Sequence, residues 1–154
     1  MQLLIRMGVP VCPRSTLLKI AKVEVPKTSD SLNLTPLLRG QTDSFPDRAL
    51  IWHFPNFWGP LSRTEPVPGP GLGPGSTIRH GDWKLIFYHS DQRFELFNLA
   101  TDLGETENLV DDQPKIADHL ADELTGFLRA HNSPMPIVRS TGDPVPMSSE
   151  VRGR

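Results

Sequence analysis

The sequence predicts an α+β fold: a small antiparallel sheet of about four strands, covered by one C-terminal amphipathic helix and preceded by a loop-rich N-terminus. Three observations predict it. Ser76–His80 and Trp83–His89 flank the turn pair Gly81-Asp82, which reads as a hairpin. Arg48–Phe54 and Arg93–Leu99 add two more runs rich in aromatic and β-branched residues. Between Gln113 and His131, Ile116, Leu120, Leu124, Phe127 and Leu128 recur at the 3.6-residue period of a helix.

Residues Met1 to Ser15 show no clear period. Thr16–Val23 predicts a short helix with Leu17, Ile20 and Ala21 on one face, and Lys19 and Lys22 outside it. Ser15 or Thr16 can cap its start, and Pro26 stops it. Lys27–Asn33 is a polar loop. Leu34–Gly40 predicts one helical turn, with Pro36 near its start and Gly40 at its exit. Pro55 closes the strand Arg48–Phe54. The tract Pro60–Gly75 (PLSRTEPVPGPGLGPG) has few side chains to bury and few amide donors, so it predicts a mobile surface loop. In Arg93–Leu99, Phe94, Leu96 and Asn98 alternate with Glu95, Phe97 and Leu99. Asp112 is the expected N-cap of the long helix, Pro114 suits its first turn, and Ala117 and Ala121 widen its apolar stripe. Arg129 and His131 suit the negative end of the helix dipole. The Pro-, Ser- and Gly-rich stretch after Asn132 predicts a frayed tail.

Composition narrows the function classes. The 16 basic and 18 acidic side chains leave a net charge of −2, and no Lys/Arg-rich run argues for nucleic acid. No apolar run approaches the roughly 18 residues of a membrane span. The segment Met1–Met7 is too short and too broken for a signal peptide, so the chain as written carries no export address. Twelve glycines and 16 prolines make much of the chain loop. The single cysteine, Cys12, excludes an internal disulfide framework and a multi-cysteine zinc site.

No complete catalytic constellation emerges. Cys12 has Arg14 and Ser15 nearby, which could lower a thiol pKa, but it reads better as a small side chain near a fraying terminus. His53, His80 and His89 fall on or beside predicted strands, while His119 and His131 fall on the helix. None has metal-ligand spacing. His53 lies in the aromatic run Trp52-His53-Phe54-Pro55-Asn56-Phe57-Trp58, which opens into the Pro/Gly tract. Such a mouth suits a sugar or another flat polar ligand, and it equally suits a small domain that takes its core from Trp52, Phe54 and Trp58. Asp102, Glu105, Glu107, Asp111, Asp112, Asp118, Asp122 and Glu123 do not match a twelve-residue calcium loop. Asp102–Glu105 has the form of a capping box, and the remaining acids solvate the helix.

The order of motifs resembles the C-terminal region of a bacterial sulfatase of the arylsulfatase type, within the formylglycine-dependent family. The carrying segments are Arg48–Pro55, Ile78–Ile86, Glu95–Leu99 and Asp102–Leu109. Upstream, Pro10-Val11, Thr16–Ala21 and Leu34–Gly40 resemble the helix and turn that precede this region. The resemblance spans about Val9 to Pro136.

It implies a sulfatase C-terminal subdomain of the alkaline-phosphatase-like superfamily over 48–132. It further implies a segment 1–47 that resembles the end of the catalytic domain, and a flexible tail over 133–154. The family uses calcium and a formylglycine matured from a Cys-x-Pro-Ser-Arg motif. Cys12-Pro13-Arg14-Ser15 has similar letters in the wrong order, so neither group is expected in this chain. The expected state is a sulfatase tail without its catalytic half, inactive alone, arising as a fragment, a mis-called start or a split product. His53, Asn56 and Lys84 are the polar groups the resemblance places nearest a substrate, with Lys84 equally suited to be a solvated strand residue. The implied partners are the missing catalytic half and, through a complete enzyme, a sulfated carbohydrate or aryl sulfate. Relatives are usually periplasmic or extracellular. The competing expectation is a free-standing carbohydrate- or protein-binding module built on the aromatic run.

Overall fold

The structure, a computed structural model, describes residues 14–26, 31–42, 48–56 and 73–153. The chain divides into two units, Met1–Asp47 and Arg48–Arg154. The first contains α1 (Arg14–Ile20) and α2 (Thr35–Leu38). The second contains β1 (Leu50–Phe54), β2 (Gly75–His80), β3 (Trp83–Tyr88), β4 (Phe94–Asn98), α3 (Pro114–Ala130) and α4 (Ser148–Arg152). The Pro60–Gly75 tract lies almost wholly outside the described residues, as do Cys12, Phe57 and Trp58.

The four strands form one antiparallel sheet in the order β1-β2-β3-β4. The β2–β3 hairpin closes on the pair His80 and Trp83, with Gly81 at φ +58°. That left-handed value at the first of two turn residues is the demand a type II′ turn makes, and glycine meets it without a Cβ penalty. Ile51, Ile78, Leu85 and Leu96 stand abreast across the sheet. Together with Phe87 they meet Ala117, Leu120, Ala121, Leu124 and Leu128 of α3 to make the core.

The long helix starts one residue later than its expected first residue. Gln113 is the N-cap rather than Asp112, and no side chain caps the start. Proline at the first turn removes one donor that would otherwise need a cap. The buried stripe is centred on Leu120, Leu124 and Leu128, while Phe127 is 40% exposed at its margin and stacks on His131 at 4.0 Å.

Two expectations are corrected. The segment after Asn132 is not a frayed tail. It turns back over α3, bridges Ile137 to Pro144, and inserts Val145 into the core. Ser148 then donates to the carbonyl of Ala121 (2.9 Å) and accepts from Thr125 (3.0 Å). The amide of Ser149 donates to the Thr125 hydroxyl (3.1 Å). These buried hydroxyls satisfy one another, which a composition-based reading of a Pro/Ser/Gly stretch cannot anticipate.

The second correction concerns α1. Its expected apolar face is outward, with Leu17 and Ile20 each 60% exposed, and Ser15 and Thr16 are the buried positions. Ser15 bonds Ser31, and Thr16 accepts from the amide of Leu34 at 2.9 Å. Hydroxyls tie this helix to the next segment, and they select the face turned toward it.

The outer edge of β4 is covered by its own following loop. The Leu96 amide donates to Asn108 Oδ1 (2.9 Å), and the Leu96 carbonyl accepts from the Leu109 amide (2.8 Å). This cover removes an open template for strand addition. The turn at Asp102 is not helical. Its carboxylate accepts from the amides of Thr106 (2.7 Å) and Glu107 (2.9 Å), and these amides, that of Glu107 foremost, hold the carboxyl below its usual range.

Candidate functional site

Strand alternation sorts the polar residues of the sheet into two sets. On the face covered by α3, His53 of β1 is paired in register with Ser76 of β2. His89 follows β3, and its amide donates to the Pro74 carbonyl at 3.0 Å. The three side chains form a chain: His53 Nδ1 to Ser76 Oγ at 2.8 Å, and Ser76 Oγ to His89 Nε2 at 2.8 Å. His53 Nε2 reaches the carbonyl of Pro134 at 2.7 Å. Ser76 and His89 are buried, and His53 is half-buried. Burial, and then the adjacent His53 ring, push the His89 imidazole down to about 4.

The opposite face carries Trp52, Arg79, Lys84, Tyr88 and Glu95. Lys84 stands opposite Arg79 in the β2–β3 register, and its Nζ donates to both carboxylate oxygens of Glu105, at 2.7 and 2.6 Å. That contact neutralises one of two abutting cations. Tyr88 donates to Glu95 (2.8 Å) under the guanidinium of Arg93, which lies 4.1 Å from the ring centroid and also pairs with Glu95. Burial, followed by Glu95, pushes the Tyr88 phenol up to about 12. Trp52 is 39% exposed.

The three residues expected nearest a substrate are therefore placed apart. His53 is pinned through both ring nitrogens on the α3 side. Asn56 is exposed just beyond the end of β1. Lys84 is on the other face, paired to Glu105. Ser76 and His89 were not singled out from sequence as partners of His53. The signal was present in the hairpin: pairing His80 with Trp83 sets Ser76 opposite Phe87, and alternation puts His89 on that same face.

The acidic run offers no metal centre in this arrangement. Asp102 is engaged by amides, Glu105 by Lys84, Asp118 by Arg152 at 2.5 Å, and Glu123 by His80 at 2.8 Å. Among the described residues, no group of three or more His, Cys, Asp or Glu side chains is placed to hold a metal ion. No helix among the described residues is long and apolar enough to cross a membrane.

Comparison with known proteins gives this sheet its relatives. Residues 7–130 match the family described as N-sulphoglucosamine sulphohydrolase, C-terminal. A protein named "Sulfatase" from Formosa agariphila is 30% identical over 137 residues, covering 82% of this chain and 23% of the relative. Among solved structures, BT1596, a 2-O GAG sulfatase, superposes with a TM-score of 0.57 at 22% identity, covering 90% of this chain and 27% of the other. BT4656, solved in complex with its substrate D-glucosamine-2-N,6-O-disulfate, has the same TM-score and identity, covering 76% and 23%. The chain thus spans about a quarter of the length of these relatives. A sheet of this order under a C-terminal helix, together with a family match across 7–130, leads to one conclusion: this chain belongs to the sulfatases, as a member of the N-sulphoglucosamine sulphohydrolase C-terminal family.

Proposed function

We propose that the chain acts as the C-terminal portion of a sulfuric ester hydrolase. In this reading it supports a catalytic domain, helps to shape that domain's substrate pocket, and has no turnover by itself. The observation that carries the proposal is the rigid delivery of one strand end. β1 is paired along its length to β2, its inward His53 is held at both nitrogens, and Asn56 emerges exposed immediately beyond it. Asn56 is the group for direct substrate contact, because a primary amide both donates to and accepts from sugar hydroxyls and sulfate. His53 orients the strand that carries it. Lys84 would meet substrate only from the opposite face, where Glu105 already neutralises it. A sulfated carbohydrate is the substrate class, supported by the sulfated glucosamine named for BT4656.

The reaction chemistry belongs to a catalytic domain that supplies calcium and formylglycine. Purified chain incubated with a chromogenic aryl sulfate and calcium should show no turnover above a heat-killed control. Turnover that is lost on Cys12→Ala would overturn this reading. A fusion in which the chain replaces the matching segment of the Formosa agariphila sulfatase should be active. In that fusion, Asn56→Ala should raise KM about tenfold, and an unchanged KM would remove Asn56 from the pocket.

One observation favours a second reading, a carbohydrate-binding module. Trp52 is outward and partly exposed, in register with Thr77 and two pairs from Arg79 on the same face. Tryptophan fluorescence titrated with sulfated and unsulfated oligosaccharides separates the two. Saturable binding by the isolated chain, abolished by Trp52→Ala, would favour the module.

A further inference from the structure

The direction of the hydrogen bonds through His53, Ser76 and His89 can be deduced from one end. A carbonyl only accepts, so His53 Nε2 carries the proton it shares with Pro134. A neutral imidazole has one N–H, so His53 Nδ1 is a bare acceptor and Ser76 Oγ–H donates to it. Ser76 Oγ then accepts from His89 Nε2–H. His89 Nδ1 is left as the bare nitrogen, and it is buried with no partner among the described residues. In this state every donor of the trio has an acceptor.

An added proton finds no acceptable place. On His89 Nδ1 it becomes a buried N–H with nothing to receive it. On His53 Nδ1 it displaces the Ser76 hydroxyl hydrogen. Ser76 Oγ then accepts from both rings, and its own buried hydrogen is left without an acceptor. Either outcome leaves an unpaired buried donor, which is costly. A second proton would set two imidazolium rings with centroids 5.6 Å apart.

Other charges around the trio do not offset this. On β2, His80 lies at the far end of the strand, against Glu123 of α3. On α3, Arg129 pairs with Glu150, and His131 donates to the Phe127 carbonyl. Lys84 of β3 and Glu95 of β4 belong to the opposite face. Arg139 and Asp143 of the returning segment are exposed, as is Arg48 before β1. Burial, and after it the neighbouring His53 ring, holds the His89 imidazole low.

We propose that His53, Ser76 and His89 form an acid-operated latch: at neutral pH it clamps the edge strand β1 and the Pro134 segment to the sheet, and protonation opens it by expelling the half-buried His53 ring to solvent and freeing the Pro134 carbonyl. His53 is the member that leaves because it alone of the three is partly exposed and sits on β1, which ends the order of the described strands. Beyond Pro134, the returning segment is held by bonds from the Val138 amide to Asp143 and from the Val145 amide to Pro136, both 2.8 Å. Those two amides report the latch.

Amide hydrogen exchange on the purified chain tests it, with protection factors corrected for intrinsic pH dependence. Between about pH 7.5 and about pH 5, protection at Val138 and Val145 should fall about tenfold or more, while Leu85 and Phe87 of β3 keep theirs. Ser76→Ala should give the low protection already at neutral pH and remove its pH dependence. His53→Ala, at a half-buried edge position, provides the same comparison should Ser76→Ala fail to fold. Unchanged protection of Val138 and Val145 across that range would overturn the latch, and so would equal loss at Leu85 and Phe87, since that is global unfolding. A His53→Ala variant that retained the acid-dependent release would also overturn it.

Discussion

Two helices of this chain carry apolar residues at helical spacing, and they meet opposite fates. In α3, Leu120, Leu124 and Leu128 are buried to within 3% against the sheet. In α1, Leu17 and Ile20 are each 60% exposed, while Ser15 and Thr16 are buried. Both stripes satisfy the same periodic rule. Periodicity identifies which residues share a face, and the partner decides whether that face is covered. For α3 the partner is the sheet that the preceding 60 or so residues build within the same unit. For α1, the contacts seen among the described residues of the first unit include hydroxyl bonds from Ser15 and Thr16, and these turn a polar stripe inward.

The comparison breaks first at its strongest point. Leu124→Ala should cost about 2–5 kcal/mol through lost burial and the cavity left behind, read as a lower urea midpoint with unchanged slope. Leu17→Ala should stay within about 0.5 kcal/mol, because its side chain is already hydrated. Equal losses would show that α1 is packed as tightly as α3.

The next effect is acid sensitivity. The folded-state value of about 4 for His89 lies below its ordinary value of 6.5, so the unfolded chain binds this proton first. Its contribution is complete above pH 6.5 and is lost as pH falls toward 4, a total of about 3 kcal/mol. Denaturation midpoints measured across that window should fall with pH, and His89→Gln should flatten the slope. An unaltered slope in His89→Gln would place the acid sensitivity elsewhere.

Ser148→Ala should cost about 1–3 kcal/mol, since it removes the acceptor of the Thr125 hydroxyl hydrogen and a second donor to the Ala121 carbonyl in a buried setting. A smaller cost would mean that α4 adds little to α3. Gly81→Ala should cost about 1–2 kcal/mol because of its left-handed φ, although a Cβ there meets open space. Asp118→Ala breaks a partly exposed pair with Arg152 and should change stability by less than about 1 kcal/mol. Thermal melts of the three variants should rank in that order.

Much of the architecture was legible because it is local. The hairpin followed from Gly81-Asp82 between two β-rich runs, and the long helix followed from a stripe that runs through four turns. The family resemblance rested on the order of four short segments, and the match across 7–130 bears it out. The returning tail was not legible, because its signal is three scattered residues: Val145 in the core, and Ser148 and Thr125 bonded across a separation of 23. The inward stripe of α1 was misread for the same kind of reason, since hydroxyls were counted as caps rather than as contacts.

By itself the sequence determined the four strands and the long helix, the order of the strands along the chain, and the parity that assigns each strand residue to one of two faces. Those follow from backbone geometry and side-chain period, which act over a few residues. Only the tertiary structure decided which groups meet. It joined His53 to Ser76 and His89 across three strands and to Pro134 across 81 residues, and it sent Lys84 to the other face, against Glu105. Hydrogen bonds of this kind depend on strand register and on the path of a distant loop, and neither is written in the residues on either side of the groups they join.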